Sequence, residues 1–98
     1  LSNDNALEIS YQAMTDKTTI INLTQHSFFN LAGNAKPTPT ICNHILTINA
    51  DHYTPMDNVS VPTGQIAPVA GTPMDFRTPH VVGERIDDKF EQLVFGKG

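Results

Sequence analysis

The chain has 98 residues, a net charge of −4 and 39% apolar residues, a globular composition with length for one small domain. Its six basic residues are scattered, which argues against the clustered Lys and Arg of a nucleic-acid surface, and no apolar run approaches the roughly 18 residues of a membrane span. Charged residues make up 16% of the chain, below the usual value of about 25%.

Seven Pro and six Gly fall mainly between residues 33 and 83, the punctuation of an all-β chain with long connections. The single Cys42 has no partner for an internal disulfide, which points to a reducing, cytoplasmic compartment. Leu1 is not an initiator methionine, so a leader ahead of it stays open.

Residues 6–14 alternate. Leu7, Ile9, Tyr11 and Ala13 share one face, and Glu8, Ser10 and Gln12 share the other, the period of a half-buried strand. Residues 18–29 are rich in β-branched and aromatic side chains and read as a second strand. The short Thr15-Asp16-Lys17 link predicts that the two form an antiparallel pair. Residues 33–39, with Pro37 and Pro39, form a loop. A third strand is expected over 45–50. Residues 51–64 are irregular, because Pro55 and Pro62 bar a central strand. A short strand over 65–69 precedes an extended loop over 71–79, a helical turn around 83–86 and a last apolar piece over 90–95. Four or five strands among so much loop make a thin core, so the chain reads as part of a larger β structure.

The most informative stretch is Ile20 to Gly33, the most apolar part of the chain, with Asn22, Thr24, Gln25, His26, Ser27 and Asn30 in it. Burying such groups without partners costs about 1–3 kcal/mol each. Either a network satisfies them or the strand faces a polar ligand. His26 is accordingly open to two readings. It is a core histidine held by its neighbours, or a general acid–base group, since imidazole titrates near neutral pH. Asn22, Gln25, Ser27 and Asn30 suit a polyhydroxyl ligand, and Phe28 and Phe29 supply faces for the C–H surface of a sugar ring.

The other histidines, His44, His52 and His80, read as surface or loop residues. Cys42 and His44 lie two apart, but no Cys-x-x-Cys or His-Glu-x-x-His pattern accompanies them, so no metal and no cofactor is expected. Asp75 and Arg77 read as an ion pair or a turn-capping carboxylate in a Pro-bounded loop. There is no phosphate-binding Gly loop and no Gly-x-Ser-x-Gly elbow.

These residues carry a family resemblance. Asn22-Leu23-Thr24-Gln25-His26-Ser27-Phe28-Phe29-Asn30-Leu31 resembles the asparagine–leucine–threonine–asparagine–histidine–serine–tyrosine–phenylalanine–asparagine–leucine signature of the aldose 1-epimerases. Three further motifs follow in the family's order: Ala50-Asp51-His52-Tyr53-Thr54-Pro55-Met56-Asp57, Pro62-Thr63-Gly64 and Gly71-Thr72-Pro73-Met74-Asp75-Phe76-Arg77. The resemblance implies an all-β fold, a large antiparallel β-sandwich of the mutarotase supersandwich type. Residues 1–98 would be the central portion of that single domain, incomplete by themselves.

It further implies an isomerase that interconverts the α and β anomers of free hexoses such as galactose or glucose. His26 would act as the general acid on the ring oxygen, and Ser27 and Phe28 would line the sugar site. The base would be a glutamate outside this chain. The partners expected are a hexose and the remainder of the same domain, with no nucleic acid and no membrane. Gln25 replaces the family's asparagine and Phe28 its tyrosine, which removes a hydroxyl from the site. The alternative function is a non-catalytic carbohydrate-binding module on the same fold. A relative acting on a phosphorylated hexose would need an Arg or Lys cluster that this stretch lacks.

Overall fold

The computed structural model describes residues 1–96. Regular structure begins only at Ile45. Strand β1 (Ile45–Leu46) pairs antiparallel with β4 (His80–Val81), with Ile45 opposite Val81 and Leu46 opposite His80. Strand β2 (His52–Tyr53) pairs antiparallel with β3 (Ala67–Pro68), with His52 opposite Pro68 and Tyr53 opposite Ala67. A 3-10 turn (Val82–Glu84) follows β4, and helix α1 (Glu91–Gly96) closes the described chain.

Backbone hydrogen bonds lengthen both short ladders. Ile48 N–H donates to Phe76 O (2.7 Å), Val82 N–H to His44 O (2.9 Å) and Gly83 N–H to Cys42 O (2.8 Å). The first ladder therefore runs from 42–48 on one side to 76–83 on the other. The second is extended by Val69 N–H donating to Asp51 O (2.9 Å). That bond supplies beside Pro68 the donor that a proline lacks.

Between the ladder strands the chain makes tight turns. Asp57 Oδ1 accepts from the N–H groups of Val59 (3.0 Å) and Val61 (2.9 Å), an aspartate holding its own turn. Ser60 sits there at a φ of 66°. Met56 and Pro62 form an isolated bridge just outside this turn. Helix α1 docks on the hairpin through Gln92. Its Oε1 accepts Met56 N–H (2.8 Å) and its Nε2 donates to Met56 O (3.0 Å), so one side-chain amide does what a neighbouring strand would do. The rings of Tyr53 and Phe90 meet edge-on at 6.4 Å and hold the start of the helix against β2.

Several expectations are revised. Residues 6–14 and 18–29 are not strands, and the antiparallel pair between them does not form. Their connection is closed locally instead: Thr15 Oγ1 donates to Lys17 O (2.7 Å) and accepts from Lys17 N–H (3.3 Å). A lone two-stranded hairpin is marginal in water, and the apolar face of these residues has no sheet or helix in the described chain to pack on. Their large side chains stay exposed, Ile20 to 99%. The expected strand over 45–50 shortens to Ile45–Leu46 and that over 65–69 to Ala67–Pro68. The apolar piece over 90–95 is helical. The loop over 33–39 and the turn near 83–86 form close to where the residues place them, the latter one residue early at Val82–Glu84. Among the described residues Val69, at 4% exposure, is the one buried hydrophobic side chain. This matches the thin core expected from so few strands.

Gly83 marks where the first ladder is tightest. A Cβ there would lie 2.9 Å from both the Cβ and the carbonyl oxygen of Cys42, and backbone in a ladder cannot step aside without breaking the Gly83–Cys42 bond. Gly83→Ala is expected to destabilise the fold by about 1–3 kcal/mol, the usual cost of overpacking. The midpoint of chemical denaturation measures this, and an unchanged midpoint would mean that the ladder yields.

Candidate functional site

His26, Ser27 and Phe28 lie in the stretch that precedes the first ladder, and all three are exposed. Two of them are in contact: the His26 and Phe28 rings sit 5.1 Å apart, tilted by 56°, within the range of favourable aromatic pairs. Phe28 is otherwise 90% exposed, so its ring offers an open apolar face beside the imidazole. That combination suits a sugar, which presents C–H surface and hydroxyls together.

Of the two readings of this polar stretch, a satisfying side-chain network around His26 is not formed among the described residues. Asn22 and Gln25 are exposed, so the cost of burying them does not arise in this chain. Asn30 is engaged elsewhere. Its Nδ2 donates to Pro39 O (2.7 Å) and its Oδ1 accepts Ala32 N–H (3.0 Å). Next to it, Leu31 N–H donates to Nε2 of His44 (2.9 Å). Sequence reasoning placed His44 as an idle loop histidine. Nothing in its spacing from Leu31, across a Pro-rich loop, signals the contact.

The downstream charges form a separate group. Arg77 grips Asp75 with a two-point fork, Nε to Oδ1 at 2.9 Å and Nη2 to Oδ2 at 2.8 Å, while its Nη1 reaches Asp51 Oδ1 at 3.2 Å. Asp75 Oδ1 also accepts Arg77 N–H (3.3 Å), so the ion pair and the turn-capping carboxylate are both realised. The hydrogen bonds from the Arg77 side chain, with that from its backbone N–H and the charges of Arg77 and Arg85, hold the Asp75 carboxyl down at about 2 against an opposing desolvation. The two carboxylates raise the Arg77 guanidinium further above its ordinary value. A carboxylate locked as an anion in such a fork is poorly suited to exchange protons near neutral pH.

Arg85 is held nearby. Its Nη1 donates to Asp75 O (2.7 Å), its Nη2 lies 2.9 Å from His80 Nε2, and its guanidinium carbon stands 5.6 Å from the Phe76 ring centroid. Beside it lies an apolar hollow lined by Ile41, Pro73, Phe76, Val82, Ile86 and Leu93. It contains none of His26, Ser27 and Phe28, and Arg85 is the one charged group lining it. It lacks the convergent polar groups that would orient a sugar. Among the described residues no three His, Cys, Asp or Glu side chains converge as metal ligands, and no helix is long and apolar enough to cross a membrane.

Comparison with known proteins bears on the family to which the chain is related. The family model described as aldose 1-epimerase matches residues 1–96. The chain is 46% identical over 82 residues to galactose mutarotase of Homo sapiens, an alignment covering 84% of this chain and 23% of that protein. It is 49% identical over 82 residues to galactose mutarotase of Mus musculus, with the same two shares, 84% and 23%. It is 39% identical over 97 residues to aldose 1-epimerase of Escherichia coli (strain K12), covering 98% of this chain and 27% of that protein. The chain thus spans about a quarter of the length of the curated relatives it matches.

The Asp75–Arg77 fork makes an acid-stability prediction. The folded-state pKa of Asp75, about 2, lies below its ordinary 3.8, so its stabilising contribution is complete above that ordinary value and fades as pH falls toward the lower one. Asp75→Asn is expected to lower the thermal midpoint at neutral pH and to flatten its decline between about pH 5 and about pH 2. Equal slopes in the two proteins over that window would show that the fork contributes nothing.

Proposed function

The chain belongs to the aldose 1-epimerase family, and from that premise we propose that the protein it forms part of interconverts the α and β anomers of free hexoses such as galactose or glucose. The observation that carries the reading is the family match over residues 1–96, which takes in the exposed His26–Phe28 ring pair. His26 is the general acid. Its imidazolium gives a proton to the ring oxygen while a base, a glutamate from the rest of the domain, takes the proton of the C1 hydroxyl. The C1–O5 bond breaks to the open-chain aldehyde, the C1–C2 bond rotates, and closure on the other face runs the two proton transfers in reverse. No electrons are exchanged, and the residues require no cofactor or metal.

Phe28 packs its open face against the C–H surface of the sugar. Having no hydroxyl where the family commonly has tyrosine, it contributes shape and not a hydrogen bond. Ser27 supplies a hydroxyl to the same site. Half of an acid–base pair cannot run this reaction, so the 98-residue polypeptide by itself should be inert. The same completion explains the exposed residues 6–14 and 18–29. Their alternation and β-branched content support a reading in which they become strands of a large antiparallel β-sandwich once the rest of the domain pairs with them. The lone Cys42 supports a reducing, cytoplasmic setting.

Two measurements test this. In the whole protein, His26→Gln is expected to slow anomer interconversion, followed by polarimetry, by about 10²–10⁴-fold. Near-wild-type activity would remove His26 from the chemistry, and a wild-type protein that binds hexose without converting it would be a carbohydrate-binding module. Amide hydrogen exchange is expected to be slow at 6–14 and 18–29 in the whole protein and fast in the 98-residue polypeptide. Fast exchange in both would refute the strand assignment.

A further inference from the structure

We propose that His44 is a positioning residue for the acid-bearing segment, holding His26 and Phe28 at the sugar by accepting the Leu31 backbone N–H. This rests on the proposed function and adds to it a residue that neither touches the sugar nor moves a proton.

The reason lies in what anchors the segment. Among the described residues no backbone-to-backbone hydrogen bond is made between Ala6 and Asn30. The side-chain bonds of Thr15, Thr19 and Thr24 in that stretch are to residues one or two positions away. The first attachments to another part of the chain come at Asn30 and Leu31, to Pro39 (2.7 Å) and to His44 (2.9 Å). Asn30 also caps its own turn, through Ala32 N–H on Oδ1 (3.0 Å) and Gly33 N–H on its carbonyl oxygen (3.2 Å). Of the two outside attachments, the Pro39 one ends in the loop over 33–39 and the His44 one ends in the ladder.

His44 is itself well fixed. Its N–H donates to Ile41 O (2.8 Å), its carbonyl oxygen accepts Val82 N–H (2.9 Å), and the next residue opens β1. The imidazole passes that rigidity across to Leu31. Because Nε2 accepts, it bears the lone pair, and the ring proton of the neutral imidazole is on Nδ1. Leu31 lies five residues beyond His26, a span of up to about 17 Å of extended chain. Whatever partners residues 18–29 gain from the rest of the domain, the His44 tie fixes where the segment ends against the ladder. General acid catalysis tolerates little drift there, since a displacement of about 1 Å can cost about 10²-fold.

The Leu31–His44 bond is exposed, so water can satisfy the Leu31 N–H if the imidazole is removed. Loss of His44 should therefore cost position far more than stability, which separates a positioning role from a structural one. In the whole protein, His44→Ala is expected to lower kcat by about 10–100-fold, with KM changed less than about threefold and the thermal midpoint nearly unmoved. His44→Gln, whose Oε1 reaches about as far as Nε2 and accepts the same N–H, is expected to recover kcat to within about threefold of wild type.

His26→Gln is measured alongside. If it leaves activity intact, the functional reading fails and not this inference. If it abolishes activity while folded His44→Ala keeps wild-type kcat, the inference is overturned. Should His44→Ala not fold, His44→Gln decides. Near-wild-type kcat supports the proposal, and a folded His44→Gln with kcat lowered tenfold or more overturns it.

Discussion

The ladder between 42–48 and 76–83 is the attachment on which the rest of the chain depends. Five backbone contacts define it: the Cys42–Gly83 and His44–Val82 bonds, the Ile45–Val81 and Leu46–His80 pairs, and the Ile48–Phe76 bond. Its paired residues are 28 to 41 positions apart in sequence, and closing it brings distant side chains into range of one another: Cys42 beside Gly83, His44 beside Val82, and Phe76 and Arg85 around His80. Gly83 is required because the strand opposite is already at contact distance. Arg77 then links the first ladder to the second, with Asp75 on one side and Asp51, which accepts Val69 N–H, on the other. Buried apolar area contributes little here, since among the described residues Val69 is the one buried hydrophobic side chain. Directional polar contacts fix the arrangement.

The same polar economy recurs at each turn. Asp57, Thr72 and Asp88 each accept a backbone N–H two residues on. Gln92 satisfies both polar groups of Met56. Such bonds contribute roughly 0.5–1.5 kcal/mol each, and their value is mainly in specifying geometry. They leave the apolar hollow around Phe76, Val82 and Leu93 and the side chains of Ile20, Phe28 and Leu31 uncovered.

The functional stretch sits at the border between the ordered and the unpaired part of the chain. Among the described residues the backbone upstream of Asn30 makes only local bonds, and at Asn30 and Leu31 the chain is first tied to another part of itself, to the loop at Pro39 and to the ladder at His44. A general acid at His26, as proposed, has to be accessible to a base and also held. The His26–Phe28 contact and the tie at Leu31 together give a segment that is open on one side and anchored on the other.

Much of this was legible in the residues themselves. The family, the place of His26 within its motif, the Pro-rich loop over 33–39, the turn near 83–86 and the Asp75–Arg77 pair all follow from local sequence, because each depends on side chains a few positions apart. The alternation in 6–14 was equally legible, yet it did not yield a strand. Period 2 states that a segment is able to pair, and pairing needs a second backbone at the right distance. Only the tertiary structure decided that 45–46 meets 80–81, that Asp51 shares Arg77 with Asp75, and that His44 reaches back to Leu31. Those contacts join residues 13 to 36 positions apart, and nothing in the spacing of two residues across a loop states whether the loop will bring them together.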